Sequence, residues 1–163
     1  MYMNKIINCF CIILFISCSD KESKKEEKTQ KTTKQVSEIN VKRIVFTAND
    51  MMKFNRSKFM AKSGQKVILT LKHIGKLDKK IMGHNLVILK SGANLVDFAT
   101  KAALAKDNGY IPKNSDAILA QTKMLGGGES DTIEFTAPAA GKYDFICSFP
   151  GHFGMMKGKF IVE

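Results

Sequence analysis

An all-β sandwich is the fold class this sequence predicts, and three observations predict it. Apolar residues recur in short runs that often alternate with period two, turn residues interrupt the runs, and a single interval carries helical spacing. With 163 residues, 44% of them apolar, the chain suffices for one domain with a real core plus appendages.

The β-rich runs in order are 41–46, 66–72 (KVILTLK), 84–89 (HNLVIL), 132–135, 142–147 and 159–162. Ser63-Gly64, Gly126-Gly127-Gly128 and Ala140-Gly141 fall between runs as turns, which favours an antiparallel sandwich over a parallel sheet. The exception is 94–106 (NLVDFATKAALAK), where Leu95, Phe98, Ala102 and Ala105 form a helical stripe. That stripe reads as the face of an inserted helix packed on the sandwich. No internal repeat, phosphate-binding Gly loop or second metal motif accompanies it.

Upstream of the sandwich the composition changes twice. Lys5 precedes an apolar run over 6–16, too short to span a bilayer but right for a signal-peptide core, so 1–17 reads as a signal and the chain as exported. The segment 14–18 (LFISC) resembles a bacterial lipobox with Phe15 where Leu is usual, which makes Cys18 the expected lipidation site. Residues 19–40 hold six Lys and five acidic residues and almost nothing apolar, so 18–40 reads as a disordered tether and 41–163 as the folded domain. The expected location is the periplasmic side of a bacterial membrane, anchored by lipid. Ser19 after Cys18 favours the outer membrane.

The formal net charge is +11, of which +9 falls on 41–163. The lysines are scattered, and export removes the chain from nucleic acid, so an acidic protein partner or an anionic surface fits this charge better. Cysteine use is equally restrictive: Cys9 and Cys11 leave with the signal, Cys18 takes lipid, and Cys147 alone remains in the domain. No intradomain disulfide can form, and a solitary thiol in an oxidising compartment calls for an occupant such as a metal.

That occupant is indicated by Cys147-Ser148-Phe149-Pro150-Gly151-His152 and the following Met155-Met156. A thiolate, an imidazole and a thioether on one short loop are soft donors, Pro150-Gly151 supplies a turn that can close it, and His84 offers a second imidazole. Two His, one Cys and a weak axial Met form the donor set of a blue-copper electron-transfer centre. Spacing alone leaves Met155 and Met156 both open as the axial donor. The chain holds only His73, His84 and His152, too few imidazoles for a second copper cluster.

Met82-Gly83-His84-Asn85, the Cys147-to-His152 run and Leu125-Gly-Gly-Gly-Glu before a β run together resemble the azurins, bacterial blue-copper proteins of the cupredoxin family, over roughly 41–163. The resemblance implies a Greek-key sandwich and one Cu(I)/Cu(II) ion on His84, Cys147 and His152. Azurins space these ligands Cys-x4-His-x3-Met, which selects Met156, and place the carbonyl of Gly83 as a weak axial donor. Asn85 and Phe149 are implied as supports around the ligands and His73 as a neighbour that does not ligate. Met52, Leu77, Met82 and Phe153 match an apolar patch on which redox partners dock. The sequence departs from the azurins in lacking the usual disulfide, in carrying Leu86 where Trp is common, and in the added tether.

The function expected from all this is a membrane-tethered one-electron carrier with a monomeric domain, working by outer-sphere transfer. The resemblance implies a c-type cytochrome or respiratory oxidoreductase as partner. The alternative is a periplasmic copper-handling protein, a chaperone or store, which would need exposed, flexible ligands. An enzyme is not expected, because the sequence offers no second metal site, no paired carboxylates near the ligands and no open coordination position.

Overall fold

The computed structural model describes residues 40–163; the signal expected at 1–17, the expected lipidation site Cys18 and the expected tether up to 39 lie outside the described residues. Among the described residues nine strands fold into two sheets: β1 (Val41–Asn49), β2 (Lys53–Phe54), β3 (Lys58–Ala61), β4 (Lys66–His73), β5 (Val87–Leu89), β6 (Ile118–Gln121), β7 (Ser130–Thr136), β8 (Gly141–Ile146) and β9 (Lys157–Val162). Among the described residues two short α-helices, α1 (Lys79–Met82) and α2 (Leu95–Ala103), accompany the strands.

Period-two alternation makes β1 and β4 strands with one dry face. Ile44, Phe46 and Ala48 on β1, and Val67, Leu69 and Leu71 on β4, point into the core. The same register carries His73, the last residue of β4, inside. One sheet runs β2-β1-β4-β7 and the other β3-β9-β8-β5-β6. Pairing is mixed, where the turn pattern predicted an antiparallel sandwich: β1 lies parallel to β4 from Val41↔Lys66 to Ala48↔His73, and β3 lies parallel to β9. The chain visits the opposite sheet as β3 before returning as β4, so it re-enters beside β1 from the same end.

Phe rings cluster within the aliphatic core between the sheets, in a chain without Trp. Phe46 meets Phe54, Phe59 and Phe145 edge-on at 5.8, 5.5 and 5.3 Å, and Phe59 stacks on Phe160 at 4.4 Å. Leu86, Leu125, Cys147 and Met156 belong to the same cluster. A second, smaller cluster lies on the other side of β5, where Val87, Leu89 and Ile146 receive Phe98, Ala99 and Ala102 of α2. The stretch Leu86–Leu89 is therefore buried on both faces, which is why it reads as an unbroken apolar run.

The helix predicted over 94–106 is shorter than that. Asn94 caps it by accepting from the Asp97 N–H, but Leu104 is 85% exposed, so burial sustains no further turn beyond Ala102. A 3-10 turn follows at Lys106–Asn108, closed by left-handed Gly109. The strand predicted over 84–89 begins only at Val87, and β8 stops one residue before Cys147.

Candidate metal centre

The ends of β4 and β8 and the start of β5 meet at one end of the sandwich. β8 delivers Cys147 immediately beyond its last residue, and the Cys147 N–H donates to the Met156 carbonyl at 2.8 Å, closing the loop at its two ends. Within the loop Gly151 takes a left-handed conformation at φ 81°, where a side chain would be strained. His152 then starts a 3-10 turn, its N–H donating to the Phe149 carbonyl at 3.0 Å while its own carbonyl accepts from Met156 at 2.8 Å. The turn carries the imidazole back towards the sulfur.

His84 arrives from the other side and is braced before β5 begins. It forms a two-bond bridge with Leu125, at 2.9 and 2.8 Å, and Leu86 exchanges hydrogen bonds with Thr122. Asn85 joins the two ligand segments: its Oδ1 accepts from the Ser148 N–H and its Nδ2 donates to Ser148 Oγ, both at 2.8 Å. These groups are buried, so the latch works where water cannot compete.

His84 Nδ1 lies 3.9 Å from Cys147 Sγ and His152 Nδ1 lies 3.6 Å from it, and the three donor atoms are all within 4.8 Å of one another. His84 Nε2 donates to the Asn49 carbonyl at 2.8 Å, which places the ring proton on Nε2 and leaves the Nδ1 lone pair facing the sulfur. Burial lowers the His84 pKa to about 4 and lowers that of His152 as well. Burial also pushes the Cys147 thiol up to about 11, against the opposing pull of the Asn85 and Phe149 backbone N–H groups. At neutral pH the three donors are thus two neutral imidazoles and a thiol that gives up its proton on taking a cation.

The other predicted residues fall around this trio. The Gly83 carbonyl is 3.8 Å from Cys147 Sγ, and a Cβ at Gly83 would strike Met124 Sδ and the Phe149 ring at 2.9 Å. Met156 is fully buried in the core cluster that holds Cys147, whereas Met155 is 60% exposed. Phe149 lies over His152 with ring centres 4.6 Å apart. His73 stacks on His84 at 4.5 Å but points elsewhere: Nδ1 accepts from the Gly75 N–H and Nε2 donates to the Met82 carbonyl. Of the apolar patch, Leu77 is exposed and Met82 half-buried, while Met52 packs on the main core and Phe153 on the α2 cluster. Residues to which the sequence assigned no role of their own also build the site: Asn49 through its carbonyl, Thr122 as a brace and Tyr110, whose ring meets Phe149 at 5.1 Å, together with Leu125 and Ser148, which stood in the motifs and act as brace and latch.

The donor set fits copper. Sulfur–nitrogen separations of 3.6 and 3.9 Å bring both imidazoles close enough to the sulfur for one ion to be shared, and a thiolate with two imidazoles is a soft set. Among the described residues this is the group of His, Cys, Asp or Glu donors close enough to share an ion.

The comparisons with known proteins agree with that chemistry. Residues 40–163 match the family model for copper binding proteins of the plastocyanin/azurin family. The chain is 41% identical over 114 residues to azurin-1 of Alcaligenes xylosoxydans xylosoxydans, an alignment covering 68% of this chain and 88% of the relative. It is 42% identical over 113 residues to the azurin of Bordetella pertussis, covering 67% and 75%. Among solved structures, an azurin from Methylomonas sp. strain J superposes with TM-score 0.68 at 31% identity, covering 75% of this chain and 98% of that one. Auracyanin A, a blue copper protein of Chloroflexus aurantiacus, superposes with TM-score 0.68 at 28% identity, covering 76% and 99%.

Proposed function

The chain belongs to the plastocyanin/azurin family of copper-binding proteins, and on that premise we propose that it is a membrane-tethered one-electron carrier that shuttles between redox proteins. Proteins of this family are electron carriers rather than enzymes. The observation that carries the reading is the convergence of His84 Nδ1, Cys147 Sγ and His152 Nδ1 in a site whose three residues are at most 4% exposed. When bound there, copper supplies a one-electron Cu(II)/Cu(I) couple.

The residues make that couple usable by holding still. The Asn49 carbonyl fixes the His84 ring, the Asn85–Ser148 latch ties its segment to the ligand loop, and the Cys147–Met156 backbone bond closes that loop. A donor cage braced on both sides changes little between oxidation states, so little reorganisation opposes electron transfer. Met156, buried in the core cluster that holds Cys147, would supply a thioether to the bound ion, and the Gly83 carbonyl approaches the sulfur from its own segment. His152, 4% exposed where His84 and Cys147 are fully buried, would be the donor through which electrons reach a partner. Such partners are a c-type cytochrome or a respiratory oxidoreductase. Lipid on Cys18 would hold the carrier at the periplasmic face of a membrane, the outer membrane in this reading, and raise its effective concentration near membrane-bound partners.

A redox titration with chelator present tests the carrier against the copper-handling alternative. The carrier is expected to cycle reversibly through one electron per chain and keep its copper against a mild chelator. Rapid loss of copper in either oxidation state would instead support handling, since release requires mobile ligands, and these are buried and braced.

A further inference from the structure

Tyr110 is one of three non-glycine residues with a left-handed backbone among the described residues, and the one aromatic among them, at φ 61°. A bulky side chain holds such a conformation only where its surroundings fix it, and positions of this kind gather at functional sites. The surroundings here are a tight turn. The Tyr110 N–H donates to the Ala105 carbonyl at 2.9 Å and that of left-handed Gly109 to the Lys106 carbonyl at 3.1 Å, while Asn108 Nδ2 donates to the Ile111 carbonyl at 2.8 Å. Ala105 lies two residues beyond α2, so the turn hangs from a helix that Phe98, Ala99 and Ala102 seat against Val87 and Leu89 of β5.

The turn delivers an aromatic ring to the ligand loop. Tyr110 meets Phe149 edge-on, with ring centres 5.1 Å apart at 62°, and Phe149 in turn lies 4.6 Å from the His152 ring, tilted by 35°. Ile111, the next residue, packs on the α2 cluster that also receives Phe153, so the segment bears on the loop at two neighbouring places. Phe149 needs such support. It is half-buried, where the donors on either side of it, Cys147 and His152, are buried, and a half-buried ring has room to swing towards water. Its carbonyl also accepts from the His152 N–H at 3.0 Å, so a movement of Phe149 reaches His152 through ring and backbone alike.

We propose that Tyr110 is a positioning residue for His152: its ring pins Phe149 over the imidazole, which fixes the donor and keeps water away from it. The ion so served rests on the blue-copper reading, whereas the pinning belongs to the chain itself and exists without metal. Keeping water from a donor disfavours the more highly charged oxidised site, so the pin raises the reduction potential, and a loop that cannot open retains its ion. The left-handed backbone of Tyr110 follows from placing a ring where the turn itself would suit glycine.

Three variants test it, each copper-free and copper-loaded. Tyr110→Gly removes the ring while suiting the backbone, and Tyr110→Phe keeps the ring. Asn114→Gly relaxes another left-handed residue, at φ 57°, which lines a recess against α2 rather than the ligand loop. In copper-free Tyr110→Gly the His152 ring resonances should shift as the Phe149 ring leaves, and the Met155 and Met156 amides, both bonded to the His152 carbonyl, should exchange up to about tenfold faster, the size expected from losing one aromatic pair. In the loaded variant the blue band should persist, with a lower reduction potential and faster loss of copper to a chelator. Tyr110→Phe and Asn114→Gly should match the unaltered protein in every reading. Should Tyr110→Gly fail to fold, Tyr110→Asn, whose short side chain also tolerates this backbone, is read in the same way. Unmoved His152 resonances, an unmoved potential in a blue ring-less variant, or equal changes in Tyr110→Phe or Asn114→Gly would overturn the proposal. Absence of a blue band from the unaltered protein would bring down the copper reading instead, with the copper-free resonances still deciding whether Tyr110 pins the loop.

Discussion

The donor residues were legible because their chemistry is rare: one Cys left in the domain, three His, and a turn between Cys147 and His152. The groups that hold the donors were not, because a backbone carbonyl such as that of Asn49, or a brace such as Leu125, carries no side-chain signal. Two expectations belong to this scale. Asn85→Ala should cost about 1–3 kcal/mol in denaturant unfolding of the copper-free protein, since it strands the buried Ser148 N–H; an unchanged midpoint would mean that the latch is redundant. The second concerns pH. His84 titrates near 4 when folded, against 6.5 when unfolded, so between those values the unfolded chain holds a proton the folded one lacks. Copper-free stability should therefore fall as pH drops from 6.5 towards 4, with His152 adding in the same direction, and a melting temperature flat across that window would contradict it. At neutral pH the Cys147 thiol is protonated, so loading copper should release about one proton per chain, read by an indicator dye in weak buffer.

Six of the nine strands follow runs visible in the sequence, and the helix is centred where the apolar stripe put it. What escaped were β2, β3 and β6, of 2, 4 and 4 residues, too short for alternation to show. Such strands exist because a neighbour offers its edge, as β9 does to β3, and pairing of this kind is a tertiary fact. The ends of α2 moved for the same reason, since burial rather than propensity decides where a short helix stops. The Phe rings pack against one another in the main core, and they are the element whose loss should matter most to the fold. Phe46→Ala, which removes a ring in contact with Phe54, Phe59 and Phe145, should cost about 3–5 kcal/mol in chemical denaturation. A cost under about 1 kcal/mol would show that the sandwich does not rely on that packing.

For the molecule as a whole, the sequence reading joins an anchor, a tether and a redox domain. Replacing Cys18 with Ser should move the protein from the membrane fraction to the soluble periplasmic fraction without altering its visible spectrum; membrane association that survives the change would refute the anchor. One end of the sandwich gathers His73, the last residue of β4, and Cys147, immediately beyond β8, and two braced loops bring His84 and His152 to the same point. The central claim is that this point is a type 1 copper centre with a Cys147 thiolate ligand, and the absorption and EPR spectra of the copper-loaded domain test it most directly. Strong thiolate covalency predicts one intense visible charge-transfer band and a compressed copper hyperfine splitting, both lost in Cys147→Ser. A weak visible band with ordinary hyperfine splitting, or a blue colour that survives Cys147→Ser, would contradict it.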